Sequence, residues 1–197
     1  LYYKVFEENK GENFLRDVLK NRILKPLNNN VLYELYVFFN ILDVIEGQGW
    51  KLKSVNLIGG NSESVSVYSK NNETIKIYYQ NLPKKLKEKS IYGNYLDFYD
   101  LNCRSRRPDV IIEKDSQKYC IIEVKRSANR GYIVDGVYKL MGYLKDFEKR
   151  VTNGVSGVKG ILTAWELPGN ERINFINKQE LLLADHNTFK DLVEKIL

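Results

Sequence analysis

The sequence predicts an α/β domain in which helices flank a mixed sheet, and three observations carry that expectation. A strongly periodic helix opens the ordered pattern at residues 31–46. Valine- and isoleucine-rich segments, four of them paired as two hairpins, follow it. A second amphipathic helix then precedes a further strand, the alternation that parallel members of a sheet require. Residues 1–30 are expected to form an N-terminal helical arm and residues 31–197 the main domain. The chain opens on Leu1 instead of Met, which suggests a domain cut from a longer protein.

Each element has its own signal. Residues 13–27 predict a weak helix broken at Pro26. From residue 31, Val31, Leu32, Leu35, Phe38, Phe39, Leu42 and Ile45 recur at three- and four-residue steps. Asn28 to Asn30 offer N-caps for this helix, and Gly47 and Gly49 stop it. Strands are predicted at 52–58, 64–68 and 74–79, the last two joined by a turn at Lys70-Asn71-Asn72-Glu73. Residues 80–107 read as irregular and basic, punctuated by Pro83 and Gly93. A second hairpin pairs 109–113 with 118–126 across Lys114-Asp115-Ser116-Gln117. Residues 134–147 predict a helix with Val134, Val137, Tyr138, Met141, Leu144 and Phe147 on one stripe. A strand at 160–165, a strand at 180–184 and a helix at 188–196 complete the chain.

Composition narrows the chemistry. The 197 residues carry 31 Lys+Arg against 25 Asp+Glu, a net charge of +6. Between Lys84 and Arg130 stand twelve basic and seven acidic residues, so that stretch holds nearly all the excess. A local basic surface suits a polyphosphate partner; a solvated lysine-rich loop gives the same count. One histidine, His186, and two cysteines, Cys103 and Cys120, are too few for a structural zinc site or a disulfide scaffold. A Ser-His-Asp mechanism would rest on His186 alone. No apolar run nears the roughly 18 residues of a membrane span and no secretory pattern opens the chain. A soluble, cytoplasmic protein with no membrane partner is expected.

The second hairpin concentrates polar residues on one face. Alternation places Tyr119, Ile121, Glu123 and Lys125 together, and Cys120, Ile122, Val124 and Arg126 opposite. A turn centred on Ser116 would set Asp109 directly across from Glu123; a turn centred half a residue later would offset them. Carboxylates in facing positions repel unless a cation lies between them or one is protonated. A hard divalent ion, which takes carboxylate oxygens, water and phosphate, resolves the repulsion. Lys125 points the same way, toward charge that would grow on a phosphate. An ordinary Glu–Lys ladder on a surface hairpin satisfies the same letters.

Pro108-Asp109, a hairpin turn, then Ile121-Ile122-Glu123-Val124-Lys125 resembles the motif of the PD-(D/E)XK nuclease superfamily. The resemblance covers about residues 31–166. It implies a restriction endonuclease-like fold: a mixed sheet flanked by helices with an α-β-β-β-α-β core, here with an extra hairpin and a C-terminal strand-helix unit. It also implies a nuclease that hydrolyses phosphodiester bonds, DNA favoured, through a water activated by Mg²⁺ or Mn²⁺. Asp109, Glu123 and the carbonyl of Val124 would then ligate the metal, with Lys125 catalytic. Glu34 fits the acidic position many members carry on the first helix. It also stands out among Val31, Val37, Phe38 and Ile41, where an unpaired carboxylate is costly. Arg107, Arg126, Arg130, Tyr138 and Lys139 are the candidates for touching nucleic acid, although many members carry Gln where Lys139 stands. The Tyr33-Glu34-Leu35-Tyr36 run together with the motif is similar to the nuclease subunit of modification-dependent restriction systems, a defence context in which other domains or subunits give specificity. A catalytically inactive nucleic-acid-binding or scaffolding module on the same fold is the alternative.

Overall fold

A computed structural model describes residues 28–56, 64–88, 90–101, 107–147, 158–167 and 181–197. The predicted helix at 13–27, together with Cys103, Arg104 and Arg106, lies outside these residues. Two compact units divide the chain, residues 1–32 and 33–197, and only residues 28–32 of the first are described.

Among the described residues there are seven strands in one mixed sheet and five helices. α1 (Asn29–Gly47) leads into β1 (Lys51–Val55), β2 (Ser66–Lys70) and β3 (Glu73–Tyr79). Two short helices, α2 (Lys84–Lys87) and α3 (Ile91–Phe98), precede β4 (Val110–Lys114) and β5 (Lys118–Lys125). α4 (Arg130–Phe147), β6 (Val158–Ala164), β7 (Leu181–Ala184) and α5 (Phe189–Ile196) follow. The strands lie in sequence order; β1 to β5 are antiparallel, and β5, β6 and β7 are parallel. The change of direction falls where α4 carries the chain back over the sheet, because parallel neighbours need a crossover.

Turn chemistry sets the pairing. Asn71 and Asn72, both at positive φ, make the two-residue connection between β2 and β3, a conformation asparagine tolerates well. In the β4–β5 hairpin Asp115 and Ser116 take positive φ, and the Gln117 amide donates to the Lys114 carbonyl. Val110 therefore pairs with Ile122 and Ile112 with Cys120, the register of a turn centred on Ser116. Asp115 fastens this turn to β3 by accepting from the Thr74 amide at 2.7 Å.

The sheet separates two apolar layers. Tyr33, Val37, Phe38, Ile41 and Ile45 of α1, with Phe189, Leu192 and Val193 of α5, cover the face that bears Ile77, Ile112, Ile122 and Val124. Ile133, Leu140, Leu144 and Phe147 of α4 cover the other, which bears Ile111, Tyr119, Ile121 and Leu162. α1 ends as the glycines predict. Gly49 adopts φ +81 and donates to Glu46, while Trp50 donates to Ile45, a Schellman closure that a residue with a Cβ would strain.

Three expectations are corrected. In α1, Leu32 and Phe39 are exposed and Tyr33, Val37 and Ile41 are buried in their place. The α1 face is rotated because the Tyr33 hydroxyl has a buried acceptor, donating to the Ala164 carbonyl at 2.8 Å. In α4 the stripe shifts by one residue. Val134, Tyr138 and Met141 are exposed, whereas Ile133, Gly136, Leu140 and Tyr143 are buried. Gly136 favours that choice, since a Cβ there would crowd the Leu162 and Lys125 side chains and make them shift. Finally, residues 80–107 are not wholly irregular. α3 is capped by Ser90, whose hydroxyl accepts from Gly93 and donates to Asp146. It buries none of its side chains, and its Tyr92, Tyr95 and Phe98 lie exposed. No helix among the described residues is long and apolar enough to cross a membrane.

Candidate active site

Pro108 ends the ladder of β4, having no amide hydrogen to offer, and Asp109 follows it at the strand's entrance. The Asp109 carbonyl accepts from Gln80 at 2.8 Å, which holds the backbone beside β3. Its side chain turns to β5, where Oδ2 accepts from the Val124 amide at 2.7 Å. A carboxylate thus closes the hairpin at this end. Glu123, one residue earlier on β5, is 0% exposed and lies between β4 and β6.

Two ammonium groups converge on Glu123. Lys125 Nζ and Lys139 Nζ each lie 2.7 Å from its Oε1, the first from the same strand and the second from α4. Oε2 is buried with no hydrogen-bond partner. Lys125 is itself buried. Its stem runs beneath Gly136, where an added Cβ would stand 3.0 Å from Lys125 Cε and 2.9 Å from Leu162 Cδ1. Its ammonium also lies over the Tyr132 ring, 5.0 Å from the centroid. Burial pulls the Lys125 ammonium toward neutrality, but the hydrogen bond and charge of Glu123 outweigh it and the net shift is upward.

Asp109 has the opposite surroundings. Burial, and next the negative charge of Glu123, push its carboxyl up to about 7, against the weaker pull of the Val124 amide and Lys139. Two carboxylates on adjacent strands, one raised by burial and by its neighbour's charge and the other with an orphaned oxygen, are residues that could hold a hard cation. Mg²⁺ is commonly held by one or two carboxylates, with water and substrate phosphate completing its shell. Among the described residues no three His, Cys, Asp or Glu side chains gather at metal-holding distance, so two carboxylates are what the site offers.

Glu34 stands at the margin. Its Oε2 accepts from the Tyr79 hydroxyl at 3.1 Å and from Gln80 Nε2 at 2.8 Å, and its charge adds slightly to the upward push on Asp109. Gln80 sits at φ +46, an uncommon conformation for a residue with a Cβ, while its three groups bind Glu34, Asp109 and Arg107. Arg107, Arg126 and Arg130 are exposed. Tyr138, at 77% exposed, points away from the core. His186 stacks on Trp165, whose carbonyl its ring nitrogen contacts.

The sequence places Asp109, Glu123 and Lys125 together, and the structure adds three residues to them. Lys139, a candidate for touching nucleic acid, bonds Glu123 here. Gly136 and Gln80 carried only weak signals, a glycine inside a helical pattern and a glutamine after a strand. No protein-family model matches the chain, and no curated protein matches it significantly. Fold and site together define the class: a mixed α/β protein with a two-carboxylate, two-lysine centre at the end of its central strands.

Proposed function

We propose that this chain is a metal-dependent nuclease of the PD-(D/E)XK type, with a restriction endonuclease-like core, that hydrolyses phosphodiester bonds in DNA. The observation that carries the reading is Glu123: fully buried, bonded to Lys125 through one oxygen, and left with the other oxygen unpaired near Asp109. The element order α1, β3, β4, β5, α4, β6 also matches the core that the motif implies.

In this reading Asp109 and Glu123 hold Mg²⁺ or Mn²⁺, with the Val124 carbonyl as a further oxygen. The bound ion would supply Lewis-acid charge and an acidified water. Lys125, fixed by Glu123 and by the close approach of α4, places an ammonium where negative charge grows on the phosphate. Arg107, Arg126 and Arg130 stay exposed to meet flanking phosphates. Arg130 opens α4, where the helix dipole disfavours a cation, so an anionic partner would relieve its position. Tyr79 and Gln80 hold Glu34 as a nearby negative group that tunes Asp109. Base specificity would come from further domains or subunits.

Linear, circular, single-stranded and RNA substrates incubated with Mg²⁺, Mn²⁺ or EDTA test the reading. DNA is expected to be cut only with metal, and Lys125→Ala is expected to lose at least about a hundredfold in rate while still binding Mn²⁺. Mn²⁺ binding without cleavage of any substrate would leave the binding-module alternative.

Gly136→Ala tests the packing over Lys125. Overpacking of about 1–3 kcal/mol opposes a helix-propensity gain of about 1 kcal/mol, so the melting temperature falls only slightly. The displaced Lys125 nevertheless lowers the cleavage rate about tenfold or more, as small misplacements at a reacting centre do. An unchanged rate would show that α4 does not hold Lys125 in place.

A further inference from the structure

We propose that Lys139 is an internal counter-cation: it occupies Glu123 in competition with the divalent ion and passes to a substrate phosphate, thereby coupling metal and DNA binding. The inference rests on the nuclease reading of the same site.

Lys125 and Lys139 make the same 2.7 Å contact with the same oxygen of Glu123, but they are not equally free to leave it. The Lys125 side chain is 11% exposed, threaded between Gly136 and the Tyr132 ring. The Lys139 side chain is 29% exposed. It reaches in from α4 across the Tyr143 ring, 5.8 Å from the centroid, and has solvent beside it. A divalent ion arriving at Glu123 Oε2 meets two ammonium charges on Oε1, and like charges at such range repel strongly in a site removed from water. Lys139 is the one that can withdraw.

The phosphate backbone of a substrate gives it a destination. Arg126 follows β5 and Arg130 opens α4, both exposed, so a strand that they attract passes the helix that carries Lys139. Once Lys139 has turned to a phosphate, Glu123 is released to the ion. Linkage then makes the effect mutual: DNA tightens metal binding, and metal tightens DNA binding by the same factor. No bond is made or broken in this exchange; an ammonium trades one anionic partner for another. A merely structural ion pair predicts no such trade, and a simple phosphate contact predicts no effect on the metal.

The test titrates Mn²⁺ calorimetrically into the full chain and into Lys139→Gln, Lys139→Met and Lys139→Arg. The same proteins are titrated with a fluorescent DNA duplex in EDTA at several salt concentrations. Loss of the competing charge is expected to tighten Mn²⁺ binding about tenfold in the Gln and Met variants. Their DNA affinity without metal is expected to fall several-fold, with the salt slope reduced by about one. Lys139→Arg, which keeps the charge, stays near the parent in both. Unchanged or weaker Mn²⁺ binding in the Gln and Met variants overturns the proposal, as does an unchanged salt slope. Unfolding of both variants also overturns it, since the pair would then be structural. If the parent binds no Mn²⁺ the nuclease reading itself falls, an outcome distinct from failure of the Lys139 variants alone.

Discussion

Asp109→Asn is expected to abolish metal-dependent cleavage and, at the same time, to raise the melting temperature of the metal-free protein at pH 8. The first effect follows from losing an anionic ligand. The second follows from the surroundings of Asp109, where burial and the charge of Glu123 hold its carboxyl at about 7 against an ordinary 3.8. Between those values the folded state binds a proton that the unfolded state releases, so stability falls as pH rises through this window. The contribution of Asp109 is fully present below about pH 4 and is lost on passing about pH 7. The whole shift corresponds to on the order of 4 kcal/mol. Asparagine keeps an oxygen for the Val124 amide and carries no charge, so the variant avoids that loss. Thermal melts in EDTA at pH 5 and pH 8 check this: the parent loses stability between them through Asp109, and the variant escapes that loss. A gain of roughly 8–16 °C at pH 8 is expected for a chain of this size if the whole shift is recovered. Mg²⁺ should stabilise the parent and leave the variant almost unaffected. If the variant melts no higher than the parent at pH 8, Asp109 is better hydrated than its position indicates.

How much of this site could be read in advance depended on the range of the interactions. The nearness of Asp109 to Glu123 follows from short-range rules: a turn centred on Ser116 pairs Val110 with Ile122, and strand alternation fixes the face. Lys125 comes with them because it lies two residues beyond Glu123 on the same face. The bond from Lys139 to Glu123 depends instead on how α4 crosses β5, and sixteen residues of chain do not state that distance. Gly136 sets the distance, but it reads as a mere weakness in the helix until a sheet is placed against it. The helix faces failed for a related reason. Apolar residues on α1 and α4 are numerous enough to support two adjacent stripes, and the choice was made by particular partners, the Ala164 carbonyl for Tyr33 and the missing Cβ at Gly136. α3 carries Ile91, Tyr95 and Phe98 at helical spacing, but Gly93 and the lysines before it mask the pattern. Glu34 stands out in the sequence as a carboxylate among apolar neighbours, but its partners Tyr79 and Gln80 lie 45 and 46 residues along the chain.

Glu123→Ala is expected to act on stability in the opposite direction from Asp109→Asn, although both remove a carboxylate from one site. Glu123 is the anion that Lys125 and Lys139 share, and Lys125 is largely enclosed. Without Glu123 that ammonium is left buried and unpaired beside a second one, a loss of roughly 3–5 kcal/mol for a broken buried pair. Urea melts of the metal-free protein would show the midpoint fall with little change in slope. Removing one of the stranded cations should recover part of the loss, so Glu123→Ala combined with Lys139→Met is expected to be more stable than Glu123→Ala alone. That non-additivity is the signature of a direct interaction, whereas independent sites would simply add. A loss below about 1 kcal/mol would mean that water reaches the pair and screens it. The contrast between the two acids has a functional meaning in the nuclease reading. Glu123 is neutralised in advance by lysines, so it is held in place before any ion arrives. Asp109 lacks that compensation, and a divalent cation bound there supplies the missing positive charge. Most of the stabilisation that metal brings should therefore pass through Asp109, while Glu123 fixes where the metal sits.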